Sequence, residues 1–221
     1  MTKLDTKDGE VVNRLTLTIE NQVDAMKQMV NAFAAYASAP KLDLKATDIN
    51  ALLAEVALLY DDENIELALD LDDSLPALSL DAPRIRQLVH NLIRNSLEAQ
   101  HASELPFVRL QTQLVQDGDG TRVELTAIDR GPGFSTNLMG RLFEPYVTSK
   151  PKGTGLGLSI VKKIVEEHGG TVVAENRTGT DTNTDADADD YQHKSGARIR
   201  VCLPIASDSL VKPVRLGVDA A

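Results

Sequence analysis

The chain has 221 residues, 42% of them hydrophobic, enough for one sizeable core plus an appendage. A net charge of −10 argues against nucleic acid or an anionic membrane surface as a partner, since neither polyanion is drawn to an acidic field. One cysteine, Cys202, excludes an internal disulfide, and one Cys with four His offers no metal-type spacing, which suits a reducing, cytoplasmic setting. No apolar run approaches the roughly 18 residues of a membrane span, and the N-terminus lacks a signal-peptide apolar segment, so no membrane contact is expected of this stretch.

From Glu10 to Ala37 there is neither Gly nor Pro, and Val12, Ile19, Met26 and Phe33 recur at seven-residue intervals. Leu15, Met29 and Tyr36 fill the +3 positions, with Gln22 the exception. The pattern predicts one long amphipathic helix, about 40 Å in length, whose seam needs partner helices. Pro40 closes it. Thr47 or Asp48 then caps a second helix with Ile49, Leu52, Leu53, Val56 and Leu59 on its apolar face. Alternation over Ile65 to Leu71 predicts a half-buried strand, turn residues follow, and Leu78 and Leu80 give a short second strand.

Pro83 opens the next helix, whose apolar face is Ile85, Leu88, Val89, Leu92, Ile93 and Leu97. Beside that face Gln87, Asn91 and Asn95 recur every fourth residue. Such a carboxamide stripe either hydrogen-bonds a neighbouring element or supplies oxygen to a hard cation such as Mg²⁺. Phe107 to Val115 and Arg122 to Ile128 are β-rich and joined by Asp-Gly-Asp-Gly, a hairpin signal; the second strand delivers Asp129 at its end.

Two glycine clusters follow, Asp129-Arg-Gly-Pro-Gly133 and Gly153-Thr-Gly-Leu-Gly157, with Phe143-Glu-Pro-Tyr146 between them. A carboxylate before a glycine turn can accept from an exocyclic amino group while the turn lets a purine approach. The second cluster runs into Leu158, Ile160, Val161, Ile164 and Val165 at helical spacing. Its free N–H groups therefore open a helix and form an anion site suited to phosphates. Phe134 to Lys152, flanked by glycines and without a sustained period, reads as a lid that becomes ordered around the ligand. Gly169-Gly170 ends the helix before a strand from Thr171 to Ala174, and Ala197 to Leu203 is the last strand. Arg177 to Ser195 is polar and aperiodic, holds five aspartates, and is read as a disordered loop lacking the order of a calcium loop.

These motifs, in this order, resemble the ATP-binding domain of sensor histidine kinases, part of the fold family shared with gyrase, mismatch-repair and heat-shock chaperone ATPases. The likeness covers roughly residues 48–204, and its wording is closest to the NtrY-type nitrogen-regulation kinases. Asn91 and Asn95 match the N box, Asp129 to Gly133 the first glycine box, Phe143 to Tyr146 the F box, and Gly153 to Gly157 the second glycine box. The resemblance implies a two-layer α/β sandwich of the Bergerat type carrying an N-terminal long amphipathic helix. It implies ATP and Mg²⁺ as ligands, with Asn95 on the metal and Asn91 along the phosphates. Asp129 would accept from adenine N6, and Gly131 and Gly133 would make room for the base. Phe143 would border the nucleotide. Gly153, Thr154, Gly155, Leu156 and Gly157 would cradle the phosphates, and Lys150 would reach the terminal one.

Residues 1–40 resemble part of the dimerisation and phosphoacceptor hairpin, its second helix only; 41–206 match the catalytic domain and 207–221 form a flexible tail. The first hairpin helix, with its phosphoacceptor His, is not in the sequence. His90, His101, His168 and His193 lie in other contexts, so the chain alone is expected not to phosphorylate itself. The implied function is transfer of the ATP γ-phosphoryl group to a hairpin histidine, with a response regulator as partner and a homodimer through the N-terminal helix. A cytoplasmic location follows, compatible with a membrane-anchored parent. The competing expectations are an ATPase or protein serine kinase of the same fold, and a nucleotide-binding dimerisation module without catalysis.

Overall fold

The computed structural model describes residues 42–60, 64–100, 105–117, 120–150, 153–177 and 195–205, together with Val12, Thr16, Ile19 and Val23. Those last four are helical and exposed, on one side of the expected helix; the rest of that helix, the aspartate run and the tail lie outside the described residues. Among the described residues no helix is long and apolar enough to cross a membrane.

The first elements are β1 (Lys45–Thr47) and α1 (Ile49–Ala57), the latter capped by Asp48, whose side chain accepts from the Ala51 N–H. Leu59 was expected on the apolar face of α1. Instead the helix tightens into a 3₁₀ turn at Leu58–Tyr60, which rotates both leucines outward, 73% and 71% exposed. β2 (Glu66–Leu71) and β3 (Leu78–Leu80) follow, then α2 (Ala82–Ala99) with Asp81 as its cap. β4 (Phe107–Asp117) and β5 (Gly120–Asp129) make the expected hairpin. After the lid come α3 (Gly157–Glu167), β6 (Thr171–Asn176) and β7 (Ala197–Pro204).

β2, β4, β5, β7 and β6 form a mixed five-stranded sheet in that order, parallel only between β2 and β4; β1 and β3 pair separately. The helices cover one face. Leu110, Leu125, Ile199 and Val201 of the sheet meet Leu88, Leu92, Val161 and Ile164 of α2 and α3 in one core. Strand alternation sends polar residues to the other face, where Glu124 is nonetheless 5% exposed because Gln113 and Arg200 close over it. The two-layer α/β sandwich is therefore present, and it lays α2 and α3 side by side above the end of β5.

Both helices are tied together at the end remote from the glycines. Gly169, at φ +70, lets the chain leave α3, and His168 is buried at that turn. Its Nδ1–H donates to the Ile164 carbonyl at 2.7 Å, leaving Nε2 to accept from the Asp81 N–H at 3.1 Å. The residue that caps α2 thus rests on the residue that ends α3.

Candidate functional site

Asp129 is the last residue of β5 and is 4% exposed. Its Oδ1 accepts from the N–H groups of Gly131 and Ala197, each at 2.9 Å. Burial pushes the carboxyl above its ordinary value; the Ala197 and Gly131 N–H groups, the Ser96 hydroxyl and the Arg177 charge pull the other way without cancelling it. The two glycines of this cluster do different things. A Cβ at Gly131 would stand 3.2 Å from Asp129 Oδ1 and 3.4 Å from the Ala99 carbonyl, so Gly131 makes room for the carboxylate and the end of α2, and it does not line the cavity. Gly133, at φ +77, does line it.

The carboxamide stripe divides. Asn91 is 8% exposed and committed locally, donating to the Gln87 carbonyl at 2.9 Å. Asn95 is different: its Nδ2 is buried without a partner, and its carboxamide oxygen lies 3.1 Å from where a Cβ on Gly157 would be. Gly157 is the first residue of α3. The Asn95 carboxamide therefore faces a helix N-terminus: its orphan Nδ2 is a donor suited to a phosphate oxygen, and its Oδ1 is the kind of ligand that fits a phosphate-bound Mg²⁺, which asks the protein for one or two oxygens and takes the rest from phosphate and water.

Between Phe134 and Lys150 the chain runs through turns with one 3₁₀ turn, Met139–Arg141. Phe134, Leu138, Leu142 and Val147 supply apolar lining. Phe143, the expected nucleotide contact, does not line the cavity: its neighbour Leu142 does, and adjacent residues of a helical turn face in different directions. The F box and the second glycine box interlock. Tyr146 takes φ +66 and donates its N–H to the Gly155 carbonyl, and a Cβ on Gly155 would stand 2.5 Å from the Tyr146 carbonyl carbon. Lys150 reaches across to α2, donating to Glu98 Oε2 at 2.9 Å and to the Asn95 carbonyl at 3.3 Å.

Together Asn95, Glu98, Asp129, Gly133, Phe134, Lys150, Gly153, Thr154, Gly155, Gly157 and Ala197 line a cavity of about 160 Å³. Asn91 and Leu156 line a wider hollow beside it, about 630 Å³, which shares Arg94, Thr154 and Gly157 with the first and is also bordered by Tyr60 and His90. Sequence reasoning missed Ala197, Ser96 and Glu98. A signal existed for the first: Gly196 directly precedes it, and a Cβ at Gly196 would overlap the Asp129 carbonyl.

A buried carboxylate at one end of a cavity and a glycine-opened helix at the other, under a turn-rich lid, define a nucleotide-binding α/β sandwich. Residues 80–207 match the family of histidine kinase-, DNA gyrase B- and HSP90-like ATPases, and the chain belongs to that family. Within it, the similar proteins are sensor histidine kinases. The nitrogen regulation protein NtrY of Azorhizobium caulinodans is 34% identical over 171 residues, 76% of this chain and 22% of its own. Full-length ShkA, solved in complex with AMPPNP, is 26% identical with a TM-score of 0.64, covering 92% of this chain and 40% of that one. A nucleotide-free catalytic domain of the histidine kinase ThkA is 27% identical, TM-score 0.58, matching 74% of this chain and 96% of that domain. The chain spans less than half the length of the curated relatives it matches, 22% of NtrY, 36% of an Escherichia coli ZraS and 47% of a Rhizobium leguminosarum NtrB.

Proposed function

We propose that residues 41–206 bind Mg-ATP and present its γ-phosphoryl group to a histidine carried by a dimerisation hairpin, of which residues 1–40 are the second helix. The observation that carries this reading is a cavity with Asp129 fixed at one end and the Asn95 carboxamide, its Nδ2 unpartnered, facing the start of α3 at the other. Asp129 accepts from the adenine amino group, the N–H groups of the second glycine box receive the phosphates, and Asn95 offers its oxygen to the metal. Bound Mg²⁺ supplies charge neutralisation on the phosphates. Lys150, already at the mouth, meets the terminal phosphate as a point charge. Asn91 steadies this end through Gln87 and, being a carboxamide, cannot take a proton from water, which favours transfer to an imidazole over hydrolysis.

The acceptor hairpin, a second copy of this chain and a response regulator are the proposed partners, in the cytoplasm. The decisive experiment supplies a separate hairpin containing a phosphoacceptor helix, adds labelled ATP with Mg²⁺, and measures acid-labile phosphate. Label is expected on the hairpin and not on this chain alone; label on this chain, or none on the hairpin despite ATP binding, overturns the reading. In the same assay Asn95→Ala reduces Mg-ATP affinity more than metal-free ATP affinity. Equal losses in both conditions would mean that Asn95 only packs.

A further inference from the structure

Asn176 is the last residue of β6, exposed, and does not line the cavity. Its side chain nevertheless makes two hydrogen bonds to one residue far away in sequence. Oδ1 accepts from the Phe134 N–H at 2.6 Å, and Nδ2 donates to the Phe134 carbonyl at 2.8 Å. A carboxamide has the donor and acceptor that a peptide unit presents, so this fork copies one rung of a β-ladder across a gap where no strand exists. The residue before it is Gly133, at φ +77, and a Cβ there would stand 2.6 Å from Asn176 Oδ1. The glycine is thus required by the fork as well as by the turn.

The fork sits at a junction. Asn176 pairs with Ala197 in the β6–β7 ladder, and the Ala197 N–H is one of the two that hold Asp129. The Arg177 N–H donates to the Gly196 carbonyl at 2.9 Å. One short stretch of β6 and β7 therefore fixes both Asp129 and Phe134, the carboxylate and the first apolar wall of the cavity.

We propose that Asn176 is a positioning residue for nucleotide binding: it clamps the origin of the lid at Phe134 and so sets the separation between the lid and Asp129. The clamp rests on the nucleotide reading of the cavity, but its mechanical half does not depend on any ligand. Two exposed hydrogen bonds lost together should weaken ATP binding about tenfold.

The test uses the full chain with Asn176→Ala, Asn176→Asp, Gly133→Ala and the double variant Gly133→Ala with Asn176→Ala. Hydrogen exchange is followed at residues 134–150 without ligand, Mg-ATP affinity by calorimetry, and stability by thermal unfolding. Asn176→Ala should speed exchange at Phe134 and in the segment after it, and weaken ATP, with the melting temperature nearly unchanged. Asn176→Asp should not rescue, because its second oxygen faces the Phe134 carbonyl. Gly133→Ala should cost less in the Asn176→Ala background, where the colliding oxygen is gone; the Gly133 and Asn176 effects are then less than additive. Unchanged exchange in Asn176→Ala, strict additivity, or a fall in melting temperature with ATP affinity intact would overturn the clamp. Failure of the unaltered chain to bind ATP would instead overturn the nucleotide reading, while the exchange measurement would still decide the clamp.

Discussion

The two ends of the cavity are built by different means. At the Asp129 end two backbone N–H groups, one from a turn and one from a strand, hold the carboxylate beside the Ser96 hydroxyl, and the group is almost fully buried. At the Lys150 end the fixing contacts are long side chains. Lys150 and Arg94 share the one carboxylate of Glu98, and all three remain partly exposed. Backbone donors on a sheet have no alternative conformer to adopt, so the first end is suited to discriminating one chemical group from another. Exposed ion pairs exchange partners at a cost of about 1 kcal/mol or less, so the second end is suited to charge that arrives and leaves.

The largest effect should come from removing the charge at the rigid end. Asp129→Asn keeps an oxygen for the Gly131 and Ala197 N–H groups, and the amide nitrogen then takes the remaining position, where a donor meets the adenine amino group. ATP affinity should fall about ten- to a hundredfold by calorimetry, on the scale of about 1–3 kcal/mol for an unsatisfied polar pair. Stability should not fall with it. The folded-state carboxyl lies above the ordinary 3.8, so Asp129 takes up a proton on folding between that value and its raised one. Its contribution to stability is present below 3.8 and is lost as the pH rises through the raised value. At neutral pH the asparagine variant should therefore melt no lower than the parent, and its stability should lack that decline with pH. A clear drop in melting temperature would mean that the two ends are not built as differently as stated.

Next in size is a change that spares both ends. His168→Ala leaves the Asp81 N–H without its acceptor at the far junction of α2 and α3, for about 1–3 kcal/mol in denaturant unfolding. ATP affinity measured well below the transition should stay within about twofold, since His168 touches neither end. The smallest effect belongs to Glu98→Gln. Releasing Lys150 from its counterion should strengthen ATP binding by about fivefold or less, and the gain should shrink as salt is added, as screening dictates. A gain insensitive to salt would mean that Glu98 acts through shape rather than charge.

The sheet and the three helices were legible in the sequence because each rests on a local pattern: alternation over Leu67 to Leu71, 3.6-residue spacing from Ile85 to Ile93, Asp48 before the first helix. The cavity's motif residues were legible too, since glycines at Gly133, Gly155 and Gly157 answer constraints within a few residues or to a facing helix. What pattern could not resolve was direction within a turn. Leu59 follows the helical period yet leaves it, because a 3₁₀ turn advances 120° per residue and shifts the apolar face. Phe143, in the turn that follows Met139–Arg141, lies beside the residue that lines the cavity, and no period reaches across that turn. Contacts made across long stretches of chain, such as Ala197 with Asp129, leave no periodic trace. Neither does the fork of Asn176 on Phe134, which a polar residue at a strand end does not announce.

Asp81 caps α2 with one carboxylate oxygen, accepting from the Arg84 N–H, and with the other accepts from the N–H of Asp43. The incoming chain is therefore bolted to the first turn of the helix that carries Asn95, and the β1–β3 pairing holds it flat beside that bolt. A pull or twist delivered through the preceding segment would load α2 at its root, as torque on the fixed end of a beam. The lid, anchored separately on β6, would stay outside the line of force.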